Sequence, residues 1–214
     1  MLLDFDGTLA DTRMAVLESV KRTLAQIGFP VLGDESLGQL IARGWTLPET
    51  FRSIAPEATP QQVSHYAGLY RLNYRDLEGE HTSVFEGVQS TLEALAAAGV
   101  KMAVVSNKGT AAVERSLQRF GLERPIDQVF GAEEGYPSKP DPAIYDLRIK
   151  PRYPKVPKSA LLMVGDTAAD LLFAKGIGIA SCWASYGFGD PTSCRPLDPN
   201  ITIQSFPELA SVVA

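Results

Sequence analysis

The chain is poor in the side chains that hold soft metals or form disulfides: its 214 residues include two cysteines and two histidines. Cys182 and Cys194 have neither a CxxC spacing nor a set of histidine partners, so reduced thiols are expected and redox chemistry is not. His65 and His81 lack partners at metal-ligand spacing and read as surface or packing residues. No window approaches the ~18 consecutive apolar residues of a membrane span. The longest apolar stretches, such as Leu161–Val164, are strand-sized. The opening residues, Met1-Leu2-Leu3-Asp4, show no basic segment ahead of an apolar one, so no export signal is read and a cytoplasmic location is expected. An excess of basic charge is also missing, with 20 Lys+Arg against 25 Asp+Glu and a net charge of −5. Neutralising a phosphate backbone requires a basic face, so neither a nucleic-acid polymer nor a membrane is the expected partner.

What is there is a globular balance of 45% apolar and 21% charged residues, at a length that suits one good-sized domain or a domain carrying an insertion. Short apolar runs at Leu2–Phe5, Met102–Val105 and Leu161–Val164 end abruptly in polar residues, with helix-like segments between them. Val88, Leu92, Leu95 and Ala96 share one face of a segment that stops at Gly99, as Val113, Leu117 and Phe120 do ahead of Gly121. Further runs follow at Gln128–Gly131, Ile177–Trp183 and Ile201–Ile203, with a last helix expected near Pro207–Val212. Parallel strands joined by crossover helices have this rhythm, so the expected fold class is α/β, a doubly wound parallel sheet. From Thr12 to about Leu77 the rhythm breaks. There the patterns are helical, with Val16, Val20, Leu24 and Ile27 on one face and Val63, Tyr66, Leu69, Tyr70 and Tyr74 on another. The stretch far exceeds the roughly 12 residues that a simple crossover needs, so an inserted helical cap is expected. The proline-rich basic stretch Arg148–Lys158 reads as a solvated connecting loop, with a polyproline II docking segment as the alternative.

Four polar clusters carry the chemistry. Asp4-Phe5-Asp6-Gly7-Thr8-Leu9 lies where the first strand gives out, and side chains two apart on extended chain point the same way. At ~4 Å the two carboxylates would repel by roughly 4 kcal/mol for an effective dielectric of ~20, so the pair needs a cation, a shared proton or separation. An oxygen-rich site of this kind suits Mg²⁺; the other reading is a solvent-exposed Asp-Gly turn. Ser106-Asn107-Lys108-Gly109 ends a strand and opens a helix, giving either an anion site or a helix cap at Ser106. Lys139 sits in Ser138-Lys139-Pro140-Asp141-Pro142, where its ammonium could offset phosphate charge or simply be solvated. In Gly165-Asp166-Thr167-Ala168-Ala169-Asp170, Asp166 would leave its strand toward the crevice of Asp4, with Asp170 about one helical turn further on the same side. All four clusters fall at the carboxyl ends of expected parallel strands, where such folds place ligands. Together they match the needs of phosphoryl transfer to a carboxylate.

The motifs DFDGTLADT (4–12), VVSNK (104–108), SKPDP (138–142) and VGDTAAD (164–170) resemble, in order and spacing, those of the haloacid dehalogenase-like (HAD) hydrolase superfamily. The chain is most similar to its cap-bearing phosphatases of the phosphoglycolate phosphatase-like subgroup. The resemblance implies a Rossmann-like core over 1–11 and 83–214 and a helical cap over 12–82. It implies Asp4 as nucleophile, Asp6 as general acid and base, and Thr8, Ser106, Asn107 and Lys139 as substrate-binding residues. It also implies Mg²⁺ held by the Asp4 side chain, the Asp6 backbone carbonyl and Asp166, with Asp170 orienting Lys139 or a metal-bound water. The implied activity is hydrolysis of a small phosphate monoester, phosphoglycolate-like, through an aspartyl-phosphate. The partner would be a small phosphorylated metabolite and the assembly a monomer or homodimer. The alternatives are a sugar-phosphate or nucleotide phosphatase, a phosphosugar mutase, and a non-catalytic phosphate-binding protein.

Asp6 favours phosphate-ester chemistry, since similar dehalogenases usually lack an acid there. Val16 and Thr8 favour a phosphatase over mutase-like relatives, which commonly carry a histidine and a small apolar residue at those positions. Arg43-Gly44-Trp45-Thr46 resembles the family's substrate-specificity loop, with Arg43 either a contact to a substrate anion or a helix C-terminal cation. Two departures stand out. Met1 almost abuts Asp4, which raises the expectation of a truncated start and a weakly anchored first strand. The helix expected after Pro142 also gives way early to the stretch 148–158.

Overall fold

A computed structural model describes residues 1–212. The strands are β1 (Leu2–Leu3), β2 (Ala10–Asp11), β3 (Ser83–Val84), β4 (Ala103–Gly109), β5 (Gln128–Ala132), β6 (Leu162–Gly165), β7 (Ala180–Ala184) and β8 (Ile201–Ile203). Six of them form one parallel sheet in the order β5-β4-β1-β6-β7-β8, so the α/β doubly wound expectation holds. The apolar runs are continuous because both faces of the sheet are covered, and alternate residues serve opposite faces. Leu3, Val104 and Val164 pack on one side with Leu92 and Val113, whereas Leu2, Val105 and Met163 pack on the other with Phe173 and Ile149.

The first side is covered by α5 (Val88–Ala97) and α6 (Thr110–Arg119), and the second by α8 (Ala168–Ile177). Between β6 and β4 lies β1, the point where the strand order reverses and where such sheets open a crevice at their carboxyl ends. Only two residues long, β1 is nonetheless firmly held. Leu2 pairs with both Ala103 and Met163, both leucines are buried, and the Met1 ammonium donates to the Lys101 carbonyl at 2.6 Å. The expected weak anchoring is therefore corrected: a strand paired on both sides needs little length.

Residues between β2 and β3 fold as α1 (Arg13–Gln26), α2 (Asp34–Ile41), α3 (Leu47–Ile54) and α4 (Pro60–His81). The two short strands pair antiparallel, Ala10 with Val84 and Asp11 with Ser83, and so bring both ends of this insertion together. Leu17, Leu24, Phe51, Val63 and Tyr66 give the insertion an apolar cluster of its own. A capping box, Thr59 with Gln62, and Pro60 in the first turn start α4. Buried Asn73 on α4 donates to Thr23 and Gln26 on α1, locking the register of the two longest helices of the insertion.

The stretch expected to be a loop at 148–158 begins as helix. A π-type turn at Tyr145–Ile149 runs into α7 (Lys150–Arg152), because Tyr145 and Ile149 are buried and hold the chain on the sheet. Arg148 lies over the ring of Tyr136 and pairs with Glu133, so it is not a freely solvated cation. Two short helices, α9 (Pro191–Cys194) and α10 (Leu209–Val212), complete the elements used below, and no described helix is long and apolar enough to cross a membrane.

Candidate active site

After β1 the chain turns tightly, with the Leu9 and Ala10 amides both donating to the Phe5 carbonyl. Gly7 adopts φ 79°, and a Cβ there would collide with the Asp166 carboxylate, so the turn needs glycine twice over. The result is that Asp4 at the end of β1 and Asp166 just beyond β6 approach one another. Oxygens of Asp4, Asp166 and Asp170 all lie within 4.8 Å of one another, and all three side chains are buried.

Each acid is held differently. Asp166 accepts from the Thr8 hydroxyl at 3.2 Å and from the Phe188 amide at 2.7 Å. One oxygen of Asp170 accepts from the Thr167 amide and hydroxyl, capping α8, while the other lies 2.5 Å from Lys139 Nζ. The same ammonium lies 3.0 Å from Asp4 Oδ1 but off hydrogen-bond geometry, so that buried oxygen accepts no hydrogen bond. Lys139 is thus not a solvated surface group but a buried cation between two carboxylates.

Three carboxylates and one ammonium leave a formal charge of −2 when all are ionised. Burial, with the charges of Asp170 and Asp6, pushes the Asp4 carboxyl up to about 7 against the pull of Lys139. Burial, with the charges of Asp4 and Asp170, raises Asp166 well above the ordinary carboxylate range. Burial opposes the charge on Lys139, yet Asp170 and Asp4 together hold its pKa above the ordinary lysine value. A buried acidic set with a charge deficit, hard oxygen donors and one orphaned oxygen could hold a divalent cation, and its donors fit a hard one.

Asp6 points to a second network. Lys108 Nζ lies 3.2 Å from Asp6 Oδ1, 2.6 Å from the Tyr74 hydroxyl and 3.7 Å from Glu78 Oε1. Buried Glu78 is also bonded by Ser116 and faces Arg119. Lys108 therefore ties a motif aspartate of the sheet to helix α4 of the insertion. Sequence reasoning missed all three partners. Lys108 stood inside a motif but carried no role of its own there, and Tyr74 carried only the signal of a core face.

Two expected substrate contacts, Thr8 and Arg43, do not line the cavity, and a third, Asn107, lines it with its amide already engaged. Thr8 is fully buried behind Asp166 and its hydroxyl is given to that carboxylate, so it orients an acid and does not line the cavity. Asn107 has its amide occupied: it donates to the carbonyls of Gly44 and Lys139 and accepts from the Lys139 amide, holding two loops together. Arg43 is exposed, with its guanidinium 4.4 Å above the Trp45 ring, and is not brought to the site. Ser106 does reach it, lining with Asp4, Asp6 and Lys139 a cavity of about 630 Å³ between sheet and insertion. The insertion is seated closely here, since Gly44 (φ 65°) leaves no room for a Cβ against Thr167.

The family model for haloacid dehalogenase-like hydrolases matches residues 1–184. The whole chain is 29% identical to a plasmid phosphoglycolate phosphatase of Cupriavidus necator, covering 92% of that protein. It is likewise 26% identical to a pyrophosphatase of Halalkalibacterium halodurans, covering all of this chain and 95% of the relative. The crystal structure of a predicted phosphoglycolate phosphatase from Haemophilus somnus superposes with a TM-score of 0.88 at 22% identity, over 100% of this chain and 96% of that one.

Proposed function

The chain belongs to the haloacid dehalogenase-like hydrolase family, and on that premise we propose that it hydrolyses small phosphate monoesters through a phosphorylated Asp4. The observation that carries this reading is the convergence of Asp4, Lys139, Asp166 and Asp170 beside a cavity that Asp6 and Ser106 also line. The names of the relatives, phosphoglycolate phosphatase and pyrophosphatase, support the same reaction class.

One carboxylate oxygen of Asp4 attacks phosphorus, the bond from phosphorus to the alcohol oxygen breaks, and Asp6 gives its proton to that oxygen. Asp6 then takes a proton from the water that attacks the aspartyl-phosphate, which releases phosphate and restores the Asp4 carboxylate. Lys139, held by Asp170, aims Asp4 and offsets the charge of the entering phosphate. The Ser106 hydroxyl holds a phosphoryl oxygen.

Asp4 and Asp166, with the backbone carbonyl of Asp6, would hold Mg²⁺. When bound, the ion would supply the remaining positive charge that a carboxylate needs to approach a phosphate dianion. Residues 12–82 act as a cap over a core assigned to 1–11 and 83–214, of which 213–214 lie outside the described residues, closing the cavity to bulk water during the first step. The separate apolar cluster of the insertion and its paired strand exits at β2 and β3 support that division. Two free, buried thiols suit a reducing, cytoplasmic setting.

The test is phosphate release from a panel of phosphoglycolate, sugar phosphates, nucleotides and an aryl phosphate. Mg²⁺-dependent release that Asp4→Asn abolishes is expected; a panel wholly untouched by the Mg²⁺-loaded protein overturns the reading.

A further inference from the structure

The cavity that Asp4 lines is larger and more apolar than a two-carbon acid requires. At about 630 Å³ it falls in the range of sites that enclose drug-sized ligands, roughly 300–1,000 Å³. The insertion contributes Val16, Val20, Leu40, Ile41, Trp45 and Leu47 to its wall. Five of these, Val16, Leu40, Ile41, Trp45 and Leu47, are only half-buried, so part of their hydrocarbon surface stays open to the cavity.

The two lysines that line the cavity are already paired, whereas Arg71 and Arg115 line it as exposed side chains. Lys139 is paired with Asp4 and Asp170, and Lys108 with Asp6 and Glu78. Arg43 is exposed and stacked on the ring of Trp45, and it is not itself a lining residue. Among the described residues lining the cavity, Arg71 is the one charged side chain from the insertion, and it is exposed. A glycolate-sized leaving group would leave most of the space as water against hydrocarbon, whereas an apolar body would displace that water favourably.

We propose that the substrates are phosphate monoesters whose alcohol carries an extended hydrocarbon body, alkyl or aryl, lying against α1, α2 and the Gly44–Leu47 turn. The proposal rests on the phosphatase reading above and adds the class of leaving group. Phosphate sits at the Asp4 end, and hydrocarbon fills the insertion side.

The experiment measures kcat/KM for ethyl, butyl, hexyl and octyl phosphate with Mg²⁺, beside phosphoglycolate. These primary alcohols are nearly equal leaving groups, so a trend reports binding of the chain. An increase of about threefold to fourfold per methylene is expected until the cavity is full, with hexyl phosphate well above phosphoglycolate. Leu40→Gln is expected to shrink the ratio of hexyl to ethyl phosphate. A flat series, or phosphoglycolate preferred over all alkyl esters, overturns the proposal and leaves the phosphatase reading standing. Should no ester turn over, that reading falls, and calorimetric titration with hexylphosphonate and methylphosphonate still decides the cavity. Tighter binding of the hexyl compound, by roughly several hundredfold with a negative heat-capacity change, supports it, and equal binding overturns it.

Discussion

Lys108 and Asp6 form an ion pair at 3.2 Å that joins β4 to the turn after β1, and the same ammonium rests 4.1 Å from the centre of the Tyr74 ring. Through Tyr74 and Glu78 the pair reaches helix α4, so the acid proposed to protonate the leaving group is braced by the element proposed to cover it.

Lys108→Met should therefore weaken the protein as well as slow it. Removing one partner of a largely buried ion pair leaves the other uncompensated, at a cost of about 3 kcal/mol. Urea unfolding of Lys108→Met, Glu78→Gln and the double variant is the check. The double variant should recover part of the loss, and strict additivity would deny the coupling.

Asp170 does two jobs, pairing with Lys139 and capping α8. Asp170→Ala should cost about 3 kcal/mol, because Lys139 keeps Asp4 but loses its hydrogen-bonded carboxylate, and about 1 kcal/mol for the cap. Asp170→Asn keeps the capping oxygen and should recover the smaller share only, with activity still depressed. Equal stability of the two variants in denaturant would contradict this division.

Metal and proton compete for the same oxygens. Burial lifts the Asp4 carboxyl to about 7, above an unfolded value of about 3.9, so the metal-free fold binds the proton more tightly than the unfolded chain does. That contribution is fully present below the unfolded value and is lost as pH rises toward about 7. Mg²⁺ should consequently raise the melting temperature more at pH ~8 than at pH ~5, because at the lower pH it must first displace protons. Calorimetric scans with and without Mg²⁺ at both pH values give the answer, and equal increments would argue against Asp4 as a ligand.

Burial, with Glu208 as a lesser cause, pushes the Cys182 thiol up to about 12, and burial with Asp166 and Asp170 does the same for Cys194. Both thiols should be inert to a disulfide reagent at pH ~8 until the chain unfolds. Their contribution to stability is present below the unfolded thiol value of about 8.5 and is lost as pH rises toward 12. Rapid labelling of the native protein would contradict the burial.

The sheet and the placement of the acids were legible in the sequence because each depends on short-range signals. Apolar runs ending in Asp4, Ser106 and Asp166 mark strand ends, and parallel topology brings strand ends together. What stayed hidden depends on pairing or turn geometry. Leu2 and Leu3 suffice as a strand only because Ala103 and Met163 flank them. Thr8 serves Asp166 because the turn at Gly7 folds its hydroxyl inward, and Asn107 serves two loops that lie far from it in sequence. Arg43 reads in sequence as either a contact to a substrate anion or a helix C-terminal cation, and an aromatic neighbour two residues on offers its guanidinium a closer partner than either.

Trapping the phosphoryl group on Asp4 tests the central claim most directly. Enzyme mixed with Mg²⁺ and a hydrolysed ester, quenched in acid during turnover and digested, is predicted to yield the N-terminal peptide with the mass of one added phosphoryl group at Asp4. Asp4→Asn should give no such species and no turnover. Sustained phosphate release with Asp4 never phosphorylated, or undiminished in the variant, would contradict the account.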